Sequence, residues 1–193
     1  GCTSLKTVNL TNNVTTIGAE AFKNCTSLTS FTIPSSVKTI GTGAFSGSGL
    51  TSITVPATVT ELLGDWDDGV FNGCKSLKTA KILAKEDQIP AYLFGDCTAL
   101  TSVTFSDTFK TSGNGVFENC TALKTITLPN INAITKNMFR GCTSLTTVNI
   151  PDTVESLGYS SFLDCKNLVS IKLPCGVKSI GDGFWSYCFQ GCS

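Results

Sequence analysis

Apolar positions recur along this chain in one repeated arrangement. In its clearest copy, Leu145, Val148 and Ile150 precede Pro151, then Val154, Leu157, Phe162 and Cys165 follow, and Leu168 opens the next copy. Around Val148 and Ile150, apolar and polar residues alternate with period two, which predicts a short strand with one buried face. Pro34, Pro56, Pro129, Pro151 and Pro174 follow this piece directly. Proline has no N–H to donate to a ladder, so the strand ends there and the chain turns. Gly18, Gly41, Gly158 and Gly181 predict a second bend, through positive φ or close backbone approach. The Phe-x-x-Cys stretch is too short for a long helix and predicts a turn or 3₁₀ segment.

The arrangement is periodic over the whole chain. Phe22, Phe45, Phe71, Phe94, Phe117, Phe139 and Phe162 are separated by 22 or 23 residues, with one interval of 26. Phe-x-x-Cys-x-x-Leu is complete at Phe22, Phe71, Phe94, Phe117, Phe139 and Phe162, while the copy at Phe45 lacks its Cys. One such unit is too small to bury its own Leu, Ile, Val and Phe. Units stacked in register, with strands about 4.8 Å apart, form a continuous core. The expected fold is a solenoid of short parallel strands joined by turns, a single domain over 1–193 with about eight coils. The chain starts and stops inside the repeat, so it reads as a piece of a longer protein.

Charge and chemistry narrow the function. Lys+Arg and Asp+Glu are both 14, giving a formal net charge of zero. A balanced chain has little electrostatic hold on phosphate backbones, so no nucleic-acid partner is expected. There is no His, which removes the commonest general base and metal ligand. No Ser or Cys nucleophile has a His to activate it, and no Cys-x-x-Cys pair is present. The expectation is a non-enzyme without cofactor or metal, and a monomer. No apolar run reaches the roughly 18 residues of a membrane span.

Cys25, Cys74, Cys97, Cys120, Cys142 and Cys165 share one phase of the repeat, with Cys2 and Cys192 at its ends. Neighbouring coils bring Cα atoms within the disulfide range of roughly 4.4–6.8 Å, so distance alone leaves bridges open. In-register side chains point the same way, however, which favours a buried ladder of free thiols packed as small hydrophobes. Cys175 and Cys188 are off-phase, and are either free or bridged to each other or to Cys192.

Thr occurs 28 times and Ser 20 times, and many of them fall between the buried strand positions. This outward face carries Ser30 and Thr32, Ser52 and Thr54, Thr79 and Lys81, and Ser102 and Thr104. It continues with Thr125 and Thr127, Thr147 and Asn149, and Ser170 and Lys172. Thr32, Thr54, Lys81, Thr104, Thr127, Asn149 and Lys172 are the candidate ligand contacts. The competing explanation is that Thr is simply a good strand former on a wet face. Trp66, in the insert Leu63–Gly69 beside Asp65, Asp67 and Asp68, is a further candidate contact. Alternatively, that loop folds back over a disrupted copy. Trp185, Tyr187 and Phe189 are expected to cover the open core of the last coil.

The 23-residue period, the Ile-Pro step and the Ile-Gly-x-x-Ala-Phe-x-x-Cys tail resemble the BspA-like, Treponema-type class of leucine-rich repeats. The resemblance covers essentially the whole chain. It implies a leucine-rich-repeat solenoid, an α/β-type superhelix whose strands line a concave binding face. It implies an extracellular or cell-surface adhesion module that contacts a host protein, matrix protein, glycan or another cell surface. It transfers no catalytic residue. A structural stalk or spacer with no ligand of its own is the alternative.

Overall fold

The computed structural model describes residues 1–65, 68–181 and 187–192. These form a solenoid of about seven turns. Eight anchor rings, Phe22 through Phe189, mark it, with seven steps between them. The eight coils expected from sequence are thus eight anchors bounding seven turns. No helix occurs among the described residues, and turns occupy the Phe-x-x-Cys stretches.

Two columns of parallel strands run along the stack. The first holds β3 (Ser52–Val55), β5 (Thr79–Ile82), β7 (Ser102–Phe105), β9 (Thr125–Thr127) and β11 (Thr147–Asn149). These are the strands expected from the alternating pattern. The equivalent stretches at residues 7–9, 30–32 and 170–172, near the two ends, do not form strands. The second column was not legible in the sequence. It comprises β1 (Thr16–Ile17), β2 (Thr39–Ile40), β4 (Glu61–Leu62) and β6 (Gln88–Ile89). Its upper part is β8 (Thr111–Ser112), β10 (Ala133–Ile134), β12 (Ser156–Leu157) and β13 (Ser179–Ile180). Two-residue strands show no alternation, so period counting reads them as part of a bend. The glycines after them do admit a neighbouring backbone. A Cβ on Gly41 would lie 2.4 Å from the Ala19 amide nitrogen, and one on Gly158 2.6 Å from that of Lys136. Gly181 has φ +68, while a Cβ on Gly18 would meet open space.

A third column runs through the turns and carries the core. Each anchor Phe N–H from Phe22 to Phe162 donates to the next coil, as in Phe71 to Leu93 O at 3.1 Å and Phe117 to Met138 O at 2.9 Å. The residue two positions after each Phe has positive φ at Asn24, Gly47, Gly73, Asp96, Asn119, Gly141, Asp164 and Gly191. Only Gly, Asn and Asp occupy these places, the residues that tolerate a left-handed backbone best. The turn aims successive rings into one stack, with centroids 5.3–5.9 Å apart and planes within 18° of parallel. Phe45, Phe71, Phe94, Phe117, Phe139 and Phe162 are fully buried.

The in-phase cysteines are buried and unbridged, and their thiols serve this column. Cys74 Sγ donates to Phe45 O at 3.0 Å, and Cys97 to Phe71 O and Cys120 to Phe94 O at 3.1 Å. Cys142 and Cys165 repeat the bond to Phe117 O and Phe139 O at 3.0 and 3.1 Å. Burial pushes the Cys74 thiol up to about 11 and Cys165 up to about 12. It also holds Cys97, Cys120 and Cys142 well above the ordinary thiol value. Ser48 stands at the cysteine position of its copy and lies 3.4 Å from Cys74 Sγ. Cys188, off-phase in the sequence, belongs to the column before Phe and lies 3.1 Å from Ser161 Oγ. Cys175 is free and exposed, and Cys192 is free and half-buried.

The strand columns are interrupted at three junctions, one of them between β8 and β10, which lie side by side without a ladder. In the second column β4 does not pair with β6. The Glu86 carboxylate instead accepts the Leu62 N–H. In the first column β7 does not pair with β9, although they lie side by side.

Two outcomes follow. Phe94→Ala, in mid-stack, should destabilise by about 3–5 kcal/mol. Phe22→Ala, at the half-buried end, should cost less than half of that by denaturant titration, because a ring already partly in water gives up less buried surface. Glu86 is lifted from 4.5 to about 7, first by burial and further by the Glu61 charge, against the opposing Leu62 N–H bond. The folded chain therefore holds this proton to higher pH than the unfolded one. Its stabilising effect is full below about 4.5 and is lost as pH rises through 7. Glu86→Gln should raise Tm at pH 8 and leave it nearly unchanged at pH 4.

Candidate functional site: the exposed face of the first strand column

The first column presents one side to the core and the other to solvent. Ile53, Val55, Ala80, Ile82 and Ile126 are buried, whereas Thr54, Lys81, Thr104, Thr127 and Asn149 between or beside them are exposed. Parallel in-register pairing then aligns the exposed residues. Thr54 lies opposite Lys81, and Lys81 opposite Thr104. Thr127 lies opposite Asn149, whose amide donates to the Thr127 hydroxyl at 2.9 Å. Thr32 and Lys172 are exposed on the irregular end stretches and join no strand. Trp66, with Asp67, Phe184 and Trp185, lies outside the described residues.

Many hydroxyls serve the scaffold. Thr51, Thr101 and Thr146 donate to the carbonyls of Thr29, Lys78 and Lys124, one coil back, at 3.2, 3.0 and 3.1 Å. Ser36, Ser106 and Thr153 bind carbonyls of the preceding coil at 2.7, 2.9 and 2.7 Å. This accounts for part of the Thr and Ser content, because each such bond ties a side chain to a carbonyl of the neighbouring coil. The strand hydroxyls differ. Among the described residues, Thr32, Thr54, Lys81, Thr104 and Lys172 have no side-chain hydrogen bond or ion pair, so their polar atoms face water uncommitted.

The break between β7 and β9 opens a cleft in this face, lined by Val103, Thr104, Phe105, Asp107, Thr127 and Asn149 among others. Its cause lies in one coil. Phe105 occupies a core position held by Val55, Ile82 and Leu128 in other coils, and Phe109 one held by Val59 and Val154. The Phe105 ring sits edge-on to Phe109 at 5.7 Å and to Phe117 at 6.1 Å. Two extra rings overfill the coil, and the strand ladder gives way. Val103 and Phe105 are consequently only half-buried, unlike the inward residues of the other first-column strands. The alternating pattern missed this cleft; two aromatics at aliphatic phases of one copy are its sequence signal. The arrangement suits non-covalent recognition. No group of His, Cys, Asp or Glu among the described residues is placed to hold a metal. No helix among them is long and apolar enough to cross a membrane.

The geometry agrees with comparisons to known proteins. A leucine-rich cell surface protein of Faecalibacterium prausnitzii shares 28% identity over 100% of this chain and 59% of its own, with TM-score 0.60. The leucine-rich repeat protein of T. pallidum shares 27% identity over 80% of this chain and 72% of its own, with TM-score 0.62. A leucine-rich repeat protein of Bacteroides ovatus, 23% identical over 99% of this chain and 71% of its own, with TM-score 0.50, has the same fold. The chain thus spans 59% of the length of the Faecalibacterium protein. No curated relative matches. The family model for the BspA type leucine-rich repeat region matches residues 1–82 and 64–193, in six copies. With its period, Ile-Pro step and Phe-Cys turn column all in place, the chain belongs to the BspA-type leucine-rich repeat family.

Proposed function

We propose that this chain is a non-enzymatic binding module, carried on a cell surface or secreted, that contacts a host protein, matrix protein, glycan or other cell through the first strand column. The observation that carries this reading is the alignment of Thr54, Lys81 and Thr104, and of Thr127 and Asn149, as exposed side chains on a rigid ladder. Side chains held by regular elements keep a fixed spacing that a partner can read. The Faecalibacterium relative, described as a cell surface protein, supports the location. The face carries no Trp, Tyr or Arg at these positions, the residues that usually dominate an interface. Each coil therefore contributes weakly, and binding draws on several coils of a monomer.

Biolayer interferometry against a panel of matrix proteins and glycans tests the reading. The chain should bind at least one of them. The Lys81→Ala/Asn149→Ala double variant should lose about fivefold in affinity, the scale of two exposed polar contacts, with Tm unchanged. No binding to any of them would favour an inert spacer. Full affinity in the double variant would move the site off this face.

A further inference from the structure

We infer that the cleft between β7 and β9 is a subsite for a neutral sugar ring. This rests on the reading of the first column as a binding face, and adds the class of ligand. The cleft has two layers. Its floor is apolar, formed by the half-buried Val103 and Phe105, which the lost ladder leaves partly uncovered. Its rim is polar: the Thr104 and Thr127 hydroxyls, the Asn149 amide and the Asp107 carboxylate. The Asn149 amide is already oriented by its bond to Thr127 at 2.9 Å.

A pyranose matches this layering. One face of the ring is a patch of C–H groups, which packs on an apolar or aromatic surface. Its edge carries hydroxyls that both donate and accept. A carboxylate accepts from sugar hydroxyls, a primary amide does both, and Thr hydroxyls adapt to either role. Small-ligand sites commonly combine apolar lining with a few fixed polar groups in this way.

Two other occupants fit less well. An extended peptide adding to a sheet needs a free strand edge. Here β7 is paired on its other side with β5, and β9 with β11, and the two strands facing the cleft lie too close to admit a third. A sulfated or sialylated ligand needs a cation, and no Lys or Arg lines the cleft, whereas Asp107 would repel it.

The test is binding of the whole chain to arrays of neutral, sialylated and sulfated glycans, run beside the panel of matrix proteins. Two variants accompany it. Thr104→Trp fills the cleft from its exposed rim. Phe105→Leu installs the residue found at positions 128 and 173, which lets the ladder close without emptying the core. Circular dichroism and Tm confirm that both are folded. The chain should bind neutral glycans, at least tenfold more weakly in both variants, with no gain from sialic acid or sulfate. Binding to a matrix protein but to no glycan overturns the sugar subsite and leaves the binding face standing. Glycan binding that survives both variants, or that requires an anionic group, overturns the placement. Binding to neither array overturns the subsite and the binding face together.

Discussion

The fold depends on a carbonyl shared between coils. Each mid-stack anchor Phe accepts the amide of the Cys three residues on and the thiol of the next coil's Cys. For Phe94 these are Cys97 N–H at 3.1 Å and Cys120 S–H at 3.1 Å. The first bond closes the turn and the second ties it to its neighbour. A left-handed residue between Phe and Cys makes the geometry possible, and the same turn delivers the ring to the stack. Offset or tilted ring pairs contribute about 0.5–1.5 kcal/mol beyond their buried area, so seven consecutive pairs form a strong axial spine. Cysteine suits the position because it combines a small apolar volume with a donor. Ser48 shows that a hydroxyl can occupy the same place.

With the spine regular, the sheet columns tolerate irregularity, and the interesting chemistry collects where they break. An added carboxylate stands in for a ladder partner at Glu86, and added rings part the ladder at Phe105. Neither disturbs the Phe stack, which continues through Phe71, Phe94 and Phe117 at 5.8 and 5.9 Å. The solenoid thereby holds a cleft between two stretches of regular ladder, β3 to β7 and β9 to β11.

The extent to which this was readable from sequence follows from the physics of each element. The strand of Val148, the Pro stop and the Phe-Cys phase are local and repeated, so periodicity exposes them. The buried, unbridged thiols follow from in-phase side chains pointing one way. The second strand column escaped because two residues carry no period. Cys188 was read as off-phase because it replaces the residue before Phe rather than the ladder cysteine. The outward face was legible residue by residue, but not that the neighbouring hydroxyls of Thr51, Thr101 and Thr146 are spent on carbonyls of the preceding coil. That depends on direction within the turn, which spacing does not encode. The cleft was legible only as two aromatics out of place, since its opening is a packing consequence between coils.

Reduced, buried thiols hold the turn column together. Alkylation followed by mass spectrometry, without reductant, tests it on the native and then the denatured chain. Rapid native labelling is expected at the exposed Cys2 and Cys175, slower labelling at half-buried Cys192, and labelling of all ten cysteines after denaturation. Disulfides among Cys74, Cys97, Cys120, Cys142 and Cys165, or their ready alkylation in the native chain, would contradict it.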